Sequence, residues 1–333
     1  MNPRPRAVLG MSPEWVNPLF SDGALDRLGT LVRIDTEPLS EAADTLNRVD
    51  LDDVEIMVGF WGAPVMSTEL LDMMPKLKAL VYAAGSVKHL VTKELLSRNI
   101  RVSSAAQINA QPVAEYTVAM VILALKRVFE IERSYRRDGW SPVSPAPQNI
   151  TGVFGKTVGV VGASHIGKKV IELLKPFDVD VLLSDPYTEI VDSGVQQVSF
   201  DELIERSDVV TLHCPLTEET QGMVNASVLS RIRTGATLIN TARGGLIDMP
   251  ALVEALSSGR IRAILDVTDP VEPLPASHPL LMLDNVTVTP HIAGSFGSET
   301  RRLGDFAIRE IARYLDGDTM HGEIDPRLLT RQA

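Results

Sequence analysis

Val158-Gly159-Val160-Val161-Gly162-Ala163-Ser164-His165-Ile166-Gly167 decides the fold. It continues a strand pattern, Thr157–Val161, and a helical pattern, His165–Lys175, follows the glycine turn. A strand that ends in glycine and opens a helix starts a parallel βαβ unit. Such a turn lets the backbone approach a pyrophosphate, and the helix N-terminus adds free N–H groups and a positive dipole end. The usual spacing is G-x-G-x-x-G. Gly162 and Gly167 fill its first and third positions and Ser164 the second. Ser is small and can donate a hydrogen bond, so binding is expected to survive. Gly162, Ser164, His165, Ile166 and Gly167 are the candidate phosphate turn.

The next strand pattern, Val179–Ser184, ends before Asp185, which stands 18 residues past Gly167. An acid there accepts from both ribose hydroxyls and repels a 2′-phosphate. The expected cofactor is therefore NAD (NADH), with NADP disfavoured by Asp185.

Outward from this motif the alternation continues. Strand patterns follow at Gln197–Val198, Val209–His213, Ala236–Asn240, Arg262–Val267 and Val286–Thr289, with helices at Phe200–Ser207, Asn225–Arg231 and Pro250–Ser257. Upstream, apolar runs at Ala7–Met11, Leu31–Ile34, Val54–Phe60, Leu80–Ala84 and Ile100–Val102 interleave with helical patterns at Pro13–Leu28, Leu39–Leu46, Ser67–Met73 and Lys88–Ser97. Strand–helix alternation predicts two doubly wound parallel sheets. One long helix is expected over Asn109–Arg136, then an exposed Pro-rich loop over Asp138–Asn149. An amphipathic helix, Ser298 to about Leu315, follows the last strand.

The chain has 333 residues and a net charge of −11, which suits two domains and argues against a nucleic-acid surface. No apolar signal core follows Met1–Arg6, and the apolar stretch Val118–Leu125 is short for a bilayer. The single cysteine, Cys214, fits a reducing compartment. A cytoplasmic protein without a membrane partner or a metal is expected.

Three stretches follow strands of the second series and carry Arg243, Glu272 and His291. Ligands of open parallel sheets bind beyond the carboxyl ends of the strands. A guanidinium there can hold a carboxylate and polarise a neighbouring oxygen. An imidazole can exchange a proton near neutral pH, and an acid beside it would orient the ring. Asp269 lies in the same stretch and competes with Glu272 for the acid's place.

The chain resembles the D-isomer specific 2-hydroxyacid dehydrogenases from about Leu77 to Gly294. The resemblance rests on Ala84-Gly85-Ser86, Val113-Ala114-Glu115, the fingerprint, His213-Cys214-Pro215-Leu216-Thr217, Asn240 to Asp248, Leu265-Asp266-Val267, Glu272-Pro273 and Pro290-His291. It implies hydride transfer between NAD and C2 of a small D-2-hydroxy or 2-oxo acid. It implies Arg243, Glu272 and His291 as the catalytic trio, with Glu272 preferred over Asp269 because Glu-Pro is the family's pattern. Asp266 would hold the nicotinamide carboxamide, and Thr241, Ala242, Cys214 and Pro215 would line the cofactor. Ala84, Gly85 and Ser86, with Arg243, would bind the substrate carboxylate.

The resemblance further implies a Rossmann cofactor domain over 106–298 and a flavodoxin-like substrate domain from 1–105 plus 299–333. It also implies a closing cleft and a homodimer built through the cofactor domain around Asn109–Arg136 and the loop after it. Trp61 follows a strand, and shaping the substrate pocket and packing at the surface are equal readings of it. His213 reads as structural and Cys214 as an apolar filler. The rival reading is an NAD(H)-sensing, corepressor-like relative without turnover.

Overall fold

In the computed structural model the residues described are 4–21, 23–34, 37–40, 50–139, 152–188 and 194–325. The chain divides into two compact units, Met1–Asn109 with Ser295–Ala333, and Ala110–Gly294.

The first unit holds strands β1 (Arg6–Gly10), β2 (Arg33–Ile34), β3 (Val54–Gly59), β4 (Ala79–Tyr82) and β5 (Arg101–Ser104). They form one parallel sheet in the order β2-β1-β3-β4-β5, a doubly wound arrangement. Helices α1 (Val16–Leu19), α2 (Ala24–Leu31), α3 (Thr68–Met73) and α4 (Lys93–Ser97) connect them. The run expected as one helix over Pro13–Leu28 breaks into a 3-10 turn, α1 and α2, because Gly23 at φ 74° restarts the chain. The helix expected from Lys88 begins only at Lys93, where Thr92 Oγ1 caps it by accepting from Leu95 N at 3.2 Å. The helix expected over Leu39–Leu46 and the loop over Asp138–Asn149 lie, past Ser40 and Gly139, outside the described residues.

A single helix was expected over Asn109–Arg136. Instead, α5 (Ala106–Leu125) and α6 (Val128–Asp138) are separated at Arg127, whose φ is 55°. Apolar periodicity carries no mark of one left-handed residue, so the break was not legible. α5 is 20 residues long, and by length and composition it could cross a membrane. Ala114, Val118, Val121 and Leu125 nevertheless pack into a core with Val158, Val160, Val209 and Ile264, which accounts for its apolarity.

The second unit is built on β6 (Lys156–Val161), α7 (His165–Leu174), β7 (Val179–Ser184), β8 (Val195–Gln197), α8 (Phe200–Arg206), β9 (Val209–Leu212), α9 (Ala226–Arg231), β10 (Thr237–Asn240), α10 (Met249–Ser257), β11 (Arg262–Leu265) and β12 (Val286–Val288). All pairings are parallel, in the order β12-β11-β10-β9-β6-β7-β8. Alternate residues bury in opposite clusters. Val160 and Ile239 face one, Val161 and Leu238 the other, as a sheet covered on both faces requires. The order reverses between β6 and β9, so the crevice at their carboxyl ends is the topological switch point.

The chain then returns to the first unit. There α11 (Thr300–Leu315) buries Leu303, Phe306, Ala307 and Ile311 in the core that also holds β1, β3 and β4.

Candidate active site

Gly162 lies at the switch point with φ 97°, and a Cβ on it would come within 2.6 Å of the Cys214 amide nitrogen. A Cβ on Gly167 would strike the Gly162 carbonyl oxygen. Both glycines are therefore demanded by backbone packing. Ser164 has an ordinary φ of −63° and caps α7, its Oγ accepting from Gly167 N at 3.3 Å. That is why the fingerprint tolerates a side chain at its second position. The first-turn amides of α7, His165 and Ile166 among them, have no intrahelical acceptor and form a bare cradle for a phosphate. His165 is exposed at the start of α7, and desolvation by its surroundings, with the charges of Lys168 and Lys169, pulls its pKa below the usual imidazole value.

Asp185 follows β7 and ties the cradle together. Its Oδ2 accepts from Ala163 N at 2.6 Å, and its Oδ1 from Tyr187 N at 2.7 Å and Thr188 N at 2.9 Å. The segment after β9 supplies the facing wall. Pro215 O accepts from Thr220 Oγ1 at 2.6 Å, closing the turn. Cys214 packs its sulfur 3.6 Å from Met223 Sδ, and burial pushes its thiol up to about 11, so it is no nucleophile. His213 is fully enclosed, bonded through Nε2 to Thr211 Oγ1 at 2.9 Å and driven down to about 3 by burial. A bare glycine turn, a capped helix start and a carboxylate after the second strand suit a dinucleotide.

The next three strands carry the candidate chemistry. Asn240 ends β10 and folds back on the following turn: its Oδ1 accepts from Ala242 N at 3.0 Å and its Nδ2 donates to Arg243 O at 2.9 Å. Thr241 Oγ1 meets Thr117 Oγ1 of α5 at 3.0 Å. The clamp fixes Arg243, which spends one donor on Ala242 O at 2.6 Å, leaving most of its fork for a ligand. Burial lowers the Arg243 pKa, and the charge of Glu272 opposes that. Gly244 has no room for a Cβ against the Thr268 backbone, so the loops after β10 and β11 touch.

Glu272 Oε1 lies 2.5 Å from His291 Nδ1, and its Oε2 accepts from Thr268 N at 3.1 Å. Glu272, not Asp269, is thus the acid beside the imidazole. His291 has a left-handed φ of 55°, an unusual conformation for a side-chain-bearing residue. It is held there from below. Asp266, 1% exposed, accepts from Thr289 Oγ1 at 2.6 Å, Ile292 N at 2.9 Å and Ala293 N at 2.9 Å. His291 N also donates to Asp266 O at 2.9 Å. Asp266 therefore organises the histidine loop. Tyr116 OH completes the chain at 2.7 Å from Thr289 Oγ1. Asn240, Thr289, Thr268 and Tyr116 were not singled out from sequence as site residues; only the Asx turn at Asn240 offered a local signal.

In the first unit, Ala84, Gly85 and Ser86 follow β4, and Trp61 follows the neighbouring β3. Ala84 O accepts from Ala105 N at 3.0 Å, which anchors the segment. Trp61 stacks on Phe60 at 4.5 Å and meets Trp15 edge-on at 4.7 Å, so it belongs to an aromatic cluster at that rim.

Residues 118–293 match the model of the D-isomer specific 2-hydroxyacid dehydrogenase NAD binding domain. A glyoxylate reductase from Thermofilum pendens (strain DSM 2475 / Hrk 5) is 34% identical over 80% of this chain and 79% of its own length. A D-3-phosphoglycerate dehydrogenase from Mycobacterium leprae (strain TN) is 34% identical over 77% of this chain and 48% of its own length, so this chain spans about half of it. The crystal structure of a D-isomer specific 2-hydroxyacid dehydrogenase from Xanthobacter autotrophicus Py2, in complex with NADPH and MES, is similar with a TM-score of 0.77 and 26% identity, covering 98% of this chain and 99% of that one. With this site geometry on the same scaffold, the chain belongs to the D-isomer specific 2-hydroxyacid dehydrogenases, NAD-binding oxidoreductases that act on the CH–OH group of 2-hydroxy acids.

Proposed function

We propose that this chain interconverts a small 2-oxo acid and its D-2-hydroxy acid, with Arg243, Glu272 and His291 as the catalytic trio. The observation that carries this reading is the 2.5 Å contact between Glu272 Oε1 and His291 Nδ1 beyond the strands that also carry Arg243. With Nδ1 turned to the carboxylate, Nε2 is the ring atom left for substrate. It delivers a proton to the C2 oxygen on reduction and removes one on oxidation. Arg243 pairs with the substrate carboxylate and draws electron density from the C2 oxygen. The nicotinamide, when bound, supplies or accepts the hydride. The residues that hold the dinucleotide are Gly162, Ser164, His165, Ile166, Gly167, Asp185, Cys214, Pro215, Thr241, Ala242 and Asp266. Ala84, Gly85, Ser86 and Trp61 are our candidates for the substrate side.

We assign NAD(H) over NADP(H) on Asp185, whose carboxylate would oppose a 2′-phosphate. The relative from X. autotrophicus Py2 was solved with NADPH, so the shared scaffold alone does not decide between the two cofactors. The working protein is read as a cytoplasmic homodimer.

The test is NADH oxidation with glyoxylate, hydroxypyruvate, pyruvate and bulkier aromatic 2-oxo acids. Turnover of at least one small acid is expected. His291→Gln should lower kcat about 10²- to 10⁴-fold, while NADH binding followed by fluorescence is unchanged. NADH binding with no turnover of any acid would replace this reading with a sensor.

A further inference from the structure

Thr289 stands two residues before His291 and closes the turn that carries it. His291 N donates to Thr289 O at 3.0 Å as well as to Asp266 O at 2.9 Å, and Thr289 N donates to Leu265 O at 2.9 Å. A shift of Thr289 is therefore passed on to His291, whose backbone is already held at a left-handed φ of 55°.

The Thr289 side chain is held from another element. Tyr116 of α5 lies 173 residues away along the chain, half-buried, with its OH 2.7 Å from Thr289 Oγ1. The direction of that bond follows from a proton count. A threonine hydroxyl has one proton, and Thr289 gives it to Asp266 Oδ1 at 2.6 Å. Thr289 Oγ1 can then only accept, so Tyr116 is the donor. Burial raises the Tyr116 pKa, and the phenol keeps its proton.

The result is a one-way chain from Tyr116 through Thr289 to the Asp266 carboxylate, which is 1% exposed. Bonds in such a row polarise one another, and those to a carboxylate are strong. Asp266 Oδ1 also takes Ile292 N at 2.9 Å, and Oδ2 takes Ala293 N at 2.9 Å, the two amides that follow His291. Thr289 stands before the imidazole, Ile292 and Ala293 after it, and Asp266 joins the two sides. Tyr116 ties this bracket to α5. The next residue of α5, Thr117, meets Thr241 Oγ1 at 3.0 Å, two residues before Arg243, so one turn of helix touches both loops.

We propose that, given His291 as the proton carrier of the reaction read above, Tyr116 is a positioning residue: through Thr289 and Asp266 it holds the imidazole against Glu272. Its bond lies within one subunit and acts on the loop, not on the substrate.

The test compares full-length Tyr116→Phe, Thr289→Val, Thr289→Ser and the double variant Tyr116→Phe/Thr289→Val. Tyr116→Phe removes one oxygen and keeps the ring. It should lower kcat about tenfold, the worth of about one hydrogen bond in a coupled network, with KM for the 2-oxo acid and NADH affinity each changed less than about threefold. Thr289→Val should lower kcat at least as far, and Thr289→Ser, which keeps the hydroxyl, should bring it back to within about threefold of wild type. Because Tyr116 acts through Thr289, the double variant should be no slower than Thr289→Val alone. A second readout needs no turnover. The imidazole nitrogen NMR signals of His291, assigned with His291→Gln, should shift or broaden in Tyr116→Phe, while those of buried His213 stay in place. Such movement in a protein that turns over no 2-oxo acid would keep Tyr116 as the support of the imidazole and remove the functional reading instead. If Tyr116→Phe does not fold, Thr289→Val, which deprives Tyr116 of its acceptor, carries the test. Unmoved His291 signals, a Tyr116→Phe kcat equal to wild type, or losses that multiply in the double variant would each overturn the proposal.

Discussion

Glu272 and His291 come together because two short loops are each pinned from behind. Asp266 fixes the histidine loop through three side-chain acceptances, and Thr268 N anchors the second oxygen of Glu272. The same economy shows at His213. Its carbonyl carbon and Cβ lie where side chains on Gly162 and Gly167 would reach, and burial keeps its imidazole neutral down to about pH 3. The unfolded chain takes up a proton near 6.5, so between that value and about 3 the unfolded state binds more protons than the folded one. His213 thus contributes stability that is present above pH 6.5 and is lost as pH falls through this window. The loss has a slope of at most about 1.4 kcal/mol per pH unit. Urea unfolding of wild type and His213→Gln across the window should give a flatter curve for the variant; parallel curves would exclude this role.

At the scale of elements, the phosphate cradle is a backbone construction. Ser164 caps α7, Asp185 joins the turns after β6 and β7, and glycine at 162 and 167 permits the approach of β9's trailing segment. A methyl group at 167 would press on the Gly162 carbonyl and displace the turn. Gly167→Ala should therefore weaken NADH binding about tenfold or more, since overpacking costs about 1–3 kcal/mol. Equilibrium fluorescence titration measures this directly, and wild-type affinity in the variant would show that the turn has slack. The sequence pattern gave this element in full, because its residue types and spacing are local. The break at Arg127 was not legible, since one left-handed residue leaves no periodicity behind. Nor was the role of Asp266: its partners lie 23 to 27 residues away and meet it only after β11 and β12 pair.

For the whole molecule, the decisive event is the return of the chain after Gly294 to complete the first unit. Leu303, Phe306 and Ile311 of α11 sit in a core whose other members come from the first hundred residues. Glu310, 1% exposed, accepts from His321 N at 2.9 Å and Gly322 N at 2.8 Å and also bonds Ser103 of β5. The C-terminal segment is thus part of the sheet's support. Leu303 is fully buried, and Leu303→Ala should cost about 2–5 kcal/mol. Denaturant unfolding read by tryptophan fluorescence reports on this unit through Trp15 and Trp61. A midpoint unchanged from wild type would contradict the packing described.

The sequence by itself determined the fold class and the dinucleotide turn and marked Arg243 and His291 as candidates. Strand–helix alternation, glycine spacing and residue chemistry are written along the chain and need no distant partner. Only the tertiary structure decided that Glu272 and not Asp269 meets the imidazole and that Asp266 holds the histidine loop. Those outcomes depend on which groups are brought together and shut from water once neighbouring strands pair, and a linear pattern does not contain that information.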